Sequence, residues 1–210
     1  MEEIILLGIG GHAHSVVDSI EKGNMYKIAG FLDVKEKCDA FYREYSVIGT
    51  DEKLESLYQK GIRKAFVTVG YLGEGRVRNF LYGKLQEIGY EIPNIIDDTA
   101  ILASDIKLGK GVYIGKKAVV NSNAVIEDMC IINTGVIIEH GCKIGKYTHV
   151  AVGATVCGEV TVGEQSLIGA NSTIIQGISV GSECVVGAGT VITKSMQDKM
   201  VRYGNRERNK

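Results

Sequence analysis

From Ile101 onward the chain places an aliphatic residue at every sixth position. Cut in steps of six, residues 101–196 form sixteen hexads without a register slip. The second place of each, from Leu102 to Ile192, is Leu, Ile or Val, and the sixth is mostly Ala, Val, Ser, Thr or Cys. A period of six matches neither a 3.6-residue helix nor simple strand alternation. It suits short strands joined by turns, each strand adding one aliphatic side chain to a stack shared with neighbouring coils, with glycines at the corners. Three hexads per coil predict a triangular prism of about five coils, each rising about 4.8 Å by the strand spacing.

Residues 1 to about 95 follow another pattern. Ile4–Leu7 reads as a strand, Gly8–Ala13 as a glycine-rich loop and His14–Lys22 as a helix. Ile28–Asp33 is a second strand, Asp51–Gln59 a helix, Ala65–Gly70 a third strand and Arg76–Glu87 a helix. Pro93, the sole proline, marks the change of pattern and puts the junction within residues 91–100. The fold class expected is an α/β Rossmann-like domain over 1–95, a β-helix over 96–196 and a charged tail over 197–210.

Composition narrows the function. Twenty-four basic against twenty-five acidic residues give a net charge of -1, so the broad positive surface that nucleic acid or an anionic membrane requires is not expected. No run of about 18 apolar residues occurs, and the acidic start Met1-Glu2-Glu3 is unlike a secretory signal; a cytoplasmic protein without membrane insertion is expected. The five cysteines are odd in number and form no C-x-x-C pair, which favours reduced packing residues over disulfides or zinc. The twenty-seven glycines, four phenylalanines and lack of tryptophan suit a regular stack better than an aromatic core.

Two places carry chemistry. Gly8-x-Gly10-x-x-Ala13 follows a strand and opens a helix, with Asp33 some twenty residues later, as in dinucleotide-binding folds. Its physical content is close backbone approach and a helix N-terminus that attracts phosphate, so a sugar nucleotide, NAD or a structural turn all satisfy it; one half of about 95 residues is short for NAD. The chain has four histidines, His12, His14, His140 and His149. His140 holds the fourth place of its hexad, a turn position, and is expected to be accessible. His149 follows nine residues later, half an 18-residue coil, so two accessible imidazoles could line one cleft only across a subunit boundary. No metal is expected, because a three-imidazole zinc site needs a further ligand and a different spacing. Cys142, two residues from His140, falls at a sixth place and is expected to pack inward rather than act as a nucleophile.

The hexads resemble the left-handed parallel β-helix of hexapeptide acyltransferases, which typically work as trimers with active sites between subunits; the handedness rests on that resemblance. The GxGGHA loop, the INTxxxIEH stretch ending at His140, and Tyr147-Thr148-His149-Val150 resemble bacterial sugar acetyltransferases related to bacillosamine N-acetyltransferase and sialic-acid O-acetyltransferases. The resemblance implies acetyl-CoA as co-substrate, His140 as general base with Asn133 beside it, Gly158 as an oxyanion amide, and His149 as an acetyl-CoA contact from the neighbouring chain. It places Ala170, Gly187 and Ala188 along the pantetheine groove, and Gly10, Gly11, His12, Asp33 and Gly70 around the sugar nucleotide. Two positions depart from the pattern. Gly141 stands where the bacillosamine enzyme has Glu, with Glu139 on the other side of the base, and Gly204-Asn205-Arg206-Glu207 lacks the proline of the usual Gly-x-Pro-Ala ending.

The activity expected is N-acetylation of a UDP-linked 4-amino-4,6-dideoxy sugar by direct transfer. The alternatives are O-acetylation of a sialic-acid-like sugar and, in another class, a non-catalytic nucleotide-sensing scaffold.

Overall fold

A computed structural model describes residues 1–71 and 75–204. The chain divides into two units, Met1–Asp98 and Thr99–Lys210.

In the first unit a five-stranded sheet has the order β3-β4-β2-β1-β5. Its strands are β1 (Glu3–Leu7), β2 (Lys27–Leu32), β3 (Phe41–Tyr42), β4 (Tyr45–Gly49) and β5 (Lys64–Val67), interleaved with helices α1 (Gly11–Lys22), α2 (Leu54–Gln59) and α3 (Arg76–Ile88). β1, β2, β4 and β5 run parallel, and β3 closes an antiparallel hairpin onto β4. Ile4, Ile5, Leu6 and Leu7 are all buried, the continuous apolar run of a strand covered on both faces. β2 and β5 flank β1 on opposite sides, so the chain reverses its winding at β1, and the strand ends there form a crevice.

Several boundaries differ from expectation. The first helix begins at Gly11, three residues early. The helix expected over 51–59 is split into a 3₁₀ turn, Asp51–Lys53, and α2. β5 ends at Val67 because Thr68 terminates the ladder: its N–H donates to the Leu7 carbonyl at 2.8 Å and its hydroxyl to the Gly8 carbonyl at 2.5 Å. The β3–β4 hairpin has no counterpart in the sequence reading. Its two-residue turn is Arg43-Glu44, with Arg43 at φ 53°, and lacks the Asn-Gly or Asp-Gly signal of such turns.

The second unit is a three-sided parallel β-helix. Each of the sixteen hexads contributes a two-residue strand at its first and second places, from Ile101–Leu102 to Val191–Ile192. Strands eighteen residues apart pair in parallel, as in Ile137↔Thr155 and His149↔Leu167. Second-place side chains point inward, and all from Ile114 to Ile192 are buried; each full burial contributes about 1.5–3 kcal/mol. Sixth places are inward too, and several of their polar side chains reach the carbonyl fifteen residues on: Cys142 Sγ to Cys157 at 3.1 Å, Thr148 Oγ1 to Gly163 at 2.8 Å, Ser166 Oγ to Gly181 at 2.9 Å. Small donors therefore suit this place.

Glycines do not supply most of the corners. Fourteen fifth places have positive φ, and eight of these are non-glycine, including Lys117, Asn123, Tyr147 and Glu159. The hydrogen-bonded coil holds side-chain-bearing residues in a conformation that costs about 1–2 kcal/mol each in isolation. Glycine instead occupies seven of the sixteen third places, where the next coil approaches closely: a Cβ on Gly163 would stand 2.4 Å from the Ser182 nitrogen, and one on Gly169 2.6 Å from that of Ala188.

The column also runs past 196, where a tail was expected. Met196 bridges to Val180, and Val201–Arg202 pairs with Val185–Val186 at a spacing of sixteen residues instead of eighteen. Residues 205–210 of the expected tail, including Asn205-Arg206-Glu207, lie outside the described residues. No helix among the described residues is long and apolar enough to cross a membrane.

Gly163→Ala is expected to destabilise the protein by about 1–3 kcal/mol in urea unfolding, since the added methyl meets backbone that cannot move aside. Lys117→Gly, at a corner already in the left-handed region, should change stability by less than about 1 kcal/mol.

Candidate active site

His140 is exposed at the corner that follows the strand Ile137–Ile138. Eighteen residues on, directly below it, lies Gly158, the one glycine among the sixteen fourth places. A Cβ on Gly158 would stand 2.6 Å from both Cε1 and Nε2 of His140, so the imidazole lies over the glycine in space that any other residue would fill. The two are tied through the main chain as well, since the Glu159 N–H donates to the His140 carbonyl at 2.8 Å. The Gly158 N–H donates to no acceptor among the described residues. Glu139, which flanks the histidine, bonds the His140 main-chain N–H at 3.3 Å, so its carboxylate is engaged with backbone. Gly141 occupies a fifth place at φ 68°.

Cys142 faces the core with no exposure. Burial pushes its thiol above the ordinary cysteine value, which keeps it protonated and unsuited to nucleophilic attack.

The other β-helix candidates gather at a different corner, the one that follows the strand His149–Val150. His149 is not accessible as expected: it is 8% exposed. It lies between Ile131 and Leu167 in the ladder, with its Nε2 3.2 Å from the Asn133 side-chain nitrogen. Within one chain, therefore, Asn133 stands beside His149 and not beside His140. Ala170 and Ala188 stack one coil apart at the same corner, linked by the Gly189 N–H to the Ala170 carbonyl at 2.8 Å. Gly187 is covered by the Tyr203 ring, whose Cδ1 lies 2.3 Å from where a Cβ would be.

In the first unit the glycine loop lies at the winding reversal. Gly8, at φ 106°, has no room for a side chain, since a Cβ would stand 2.7 Å from the Val69 Cγ2. Gly10 caps α1 and Gly11 begins it; both are exposed, with open space where a Cβ would be. Ala13 packs with no exposure. His12 and the exposed Gly70 adjoin, with a Cβ on Gly70 falling 3.7 Å from that of His12. His14 points away and stacks on Tyr42 at 3.8 Å.

Asp33 braces this loop. Its Oδ2 accepts the Ile9 N–H at 2.7 Å and Lys37 Nζ at 3.1 Å, and its Oδ1 accepts the Val34 N–H at 2.7 Å. Burial alone would raise its pKa, but these bonds outweigh burial and hold the carboxyl below its ordinary value. Beside it is a cavity of about 200 Å³ lined by Leu7, Gly8, Leu32 and Val69 from the strand ends and by Val77 and Phe80 from α3, with Asp33 and Asp51 contributing carboxylates.

Two features of this unit were not legible in the sequence. Val77 and Phe80 are 56% and 62% exposed and become a cavity wall only because α3 crosses the strand ends. Arg78, between them in sequence, reads as a solvated helix position but is 1% exposed. Among the described residues no group of three or more His, Cys, Asp or Glu side chains is placed to hold a metal ion.

Comparison with known proteins agrees with this architecture. A model of the PglD N-terminal domain matches residues 3–85, and one of the hexapeptide repeat of succinyl-transferase matches residues 159–194. PerB from Caulobacter crescentus, solved in complex with CoA and GDP-perosamine, is 28% identical, with 96% of this chain and 93% of that one covered and a TM-score of 0.89. The acetyltransferase domain of PglB from Neisseria gonorrhoeae, solved with acetyl coenzyme A, is 27% identical over 95% of each chain, with a TM-score of 0.86. WeeI from Acinetobacter baumannii, at 18% identity and a TM-score of 0.75, shares the fold. Fold and repeat define the class: the chain is a hexapeptide-repeat acyltransferase with a left-handed parallel β-helix. Its N-terminal match and these neighbours make it similar to bacterial sugar acetyltransferases.

Asp33 makes stability depend on pH with a definite sign. Its folded-state pKa is lowered, so its contribution is complete above the unfolded value of about 3.9 and is lost as pH falls through the folded value. The stability gap between wild type and Asp33→Asn should therefore narrow as pH is lowered from 7 to 3 in urea titrations. A gap constant across that interval would contradict the bracing contacts.

Proposed function

We propose that this protein is a cytoplasmic acetyl-CoA-dependent N-acetyltransferase acting on a nucleotide-linked amino sugar, with a UDP-linked 4-amino-4,6-dideoxy sugar as the first candidate. The seating of the exposed His140 imidazole over Gly158 carries this assignment. Support comes from similar structures solved with CoA and GDP-perosamine, among them mutants of the perosamine N-acetyltransferase in which a histidine is replaced by Asn or Ala.

In the proposed reaction His140 takes a proton from the sugar amine as its nitrogen attacks the thioester carbonyl, a task suited to an imidazole at neutral pH. The new C–N bond forms, the C–S bond breaks, and the proton held by His140 passes to the sulfur, so that CoA leaves as the thiol. The Gly158 N–H, without an acceptor among the described residues, stabilises the oxyanion that develops between these events. In the first unit, Gly10 and Gly11 at the start of α1 leave backbone N–H groups open to a diphosphate. His12 and Gly70 adjoin that loop, and Asp33 holds it in place. The apolar cavity beside Asp33 has the dimensions and lining for a nucleobase.

His140 and Gly158 occupy one corner of the prism, and Asn133, His149, Ala170, Gly187 and Ala188 another. A homotrimer, with each site between two subunits, brings the first group of one chain to the second group of its neighbour. Acetyl-CoA then lies along the second corner, with His149 contributed in trans.

His140→Ala should lower kcat by 10²-fold or more in a free-thiol release assay. Gly158→Ala, which displaces the imidazole, should lower it by about 10²-fold. Activity unchanged in His140→Ala would exclude the base assignment, and acetylation of sialic acid instead of amino sugars would move the substrate to the O-acetyl class. UDP and GDP titrations decide the base. Mixed oligomers of inactive His140→Ala and His149→Ala chains should regain activity if the site forms between subunits.

A further inference from the structure

Arg78 heads the largest fully buried side chains among the described residues, with 1% exposure inside a unit of fewer than a hundred residues. A guanidinium taken out of water loses several kcal/mol of hydration, and an apolar residue of similar volume often gives an equal or more stable core. Two of this group's bonds go to one segment of main chain. Arg78 Nη1 donates to the Val67 carbonyl at 3.4 Å and to the Val69 carbonyl at 2.5 Å, so one donor spans the segment in which β5 leaves the sheet. On the opposite side of that segment, Thr68 is bonded to Leu7 and Gly8, Val69 fills the space against Gly8, and the next residue, Gly70, adjoins His12.

The glycine loop is thus held from two directions. Asp33 grips it through the Ile9 N–H, and Arg78 grips the wall against which Gly8 rests. The arginine does not line the loop itself, but its contacts end one residue short of Gly70.

We propose that Arg78 is a positioning residue for the sugar-nucleotide site: from inside the fold it fixes residues 67–70 against the glycine loop and so sets the loop's affinity for a nucleoside diphosphate. This rests on the assignment of the first unit as the nucleotide site. A long, flexible, buried side chain that bonds two main-chain carbonyls of this segment does more than fill space, and the segment it holds forms one side of the crevice.

The test is isothermal titration of the full-length protein with UDP and GDP, and separately with CoA, for wild type, Arg78→Met and Arg78→Lys. Arg78→Met keeps most of the volume and removes the donors; Arg78→Lys keeps the charge but not the planar donor set. The expected result is nucleoside diphosphate binding weakened 10-fold or more in Arg78→Met and 3- to 10-fold in Arg78→Lys, CoA binding within 2-fold of wild type, and a matching rise in the KM for sugar nucleotide with kcat preserved. Arg78→Lys provides the decisive comparison if Arg78→Met does not fold. Diphosphate affinity within 2-fold of wild type in a folded variant overturns the proposal, as does an equal loss of CoA and nucleotide binding, which would mark a purely structural role. If wild type binds CoA but neither UDP nor GDP, the nucleotide assignment itself fails, and this proposal with it.

Discussion

Every feature of the second unit depends on a hydrogen-bonded ladder that repeats after eighteen residues. First-place and third-place N–H groups donate to carbonyls of the next coil, as Ile137 does to Ala154 and Glu139 to Val156, while fifth-place N–H groups donate back, as Glu159 does to His140. This lattice leaves each residue almost no choice of neighbour: position i lies over position i+18. It holds eight non-glycine corners at positive φ, and it excludes a Cβ where coils approach, as at Gly163 and Gly169. His140 and Gly158 meet for the same reason. The glycine provides the space, the ladder provides the register, and together they fix the imidazole at an exposed corner.

The two units use glycine differently. In the β-helix its main service is to admit backbone at third places. At Gly8 it admits Val69 while also allowing φ 106°. At Gly10 and Gly11 it does neither: the space beyond them is open, as a backbone surface offered to a ligand requires. The contrast separates glycines that admit close packing from glycines that leave backbone exposed.

Much of the architecture was legible in the residues. A six-residue period with inward second places is so restrictive that strands, coils and the exposure of His140 followed from it. The β1-loop-α1 arrangement was legible because the glycine pattern and the apolar strand occur together. The β3–β4 hairpin was not, since Arg43-Glu44 carries no turn signal and β4 gains its place by pairing with β2. The continuation to Val201–Arg202 was hidden because its coil is two residues short and breaks the period that revealed the others. His149 lies at a first place, where side chains face outward, yet Ile131, Leu167 and Asn133 enclose it.

The sequence by itself determined the repeat, the inward stack and the vertical pairing of His140 with Gly158, because a periodic backbone turns sequence distance directly into spatial distance. It determined the glycine loop for a similar reason, since the residues that shape it are consecutive. Only the tertiary structure decided the placement of Arg78 against the 67–70 segment, the use of Asp33 as a brace, the apolar cavity faced by Val77 and Phe80, and the enclosure of His149. Those relations join residues that no period connects, and they depend on how helices cross strand ends and which side chains the packing leaves in water.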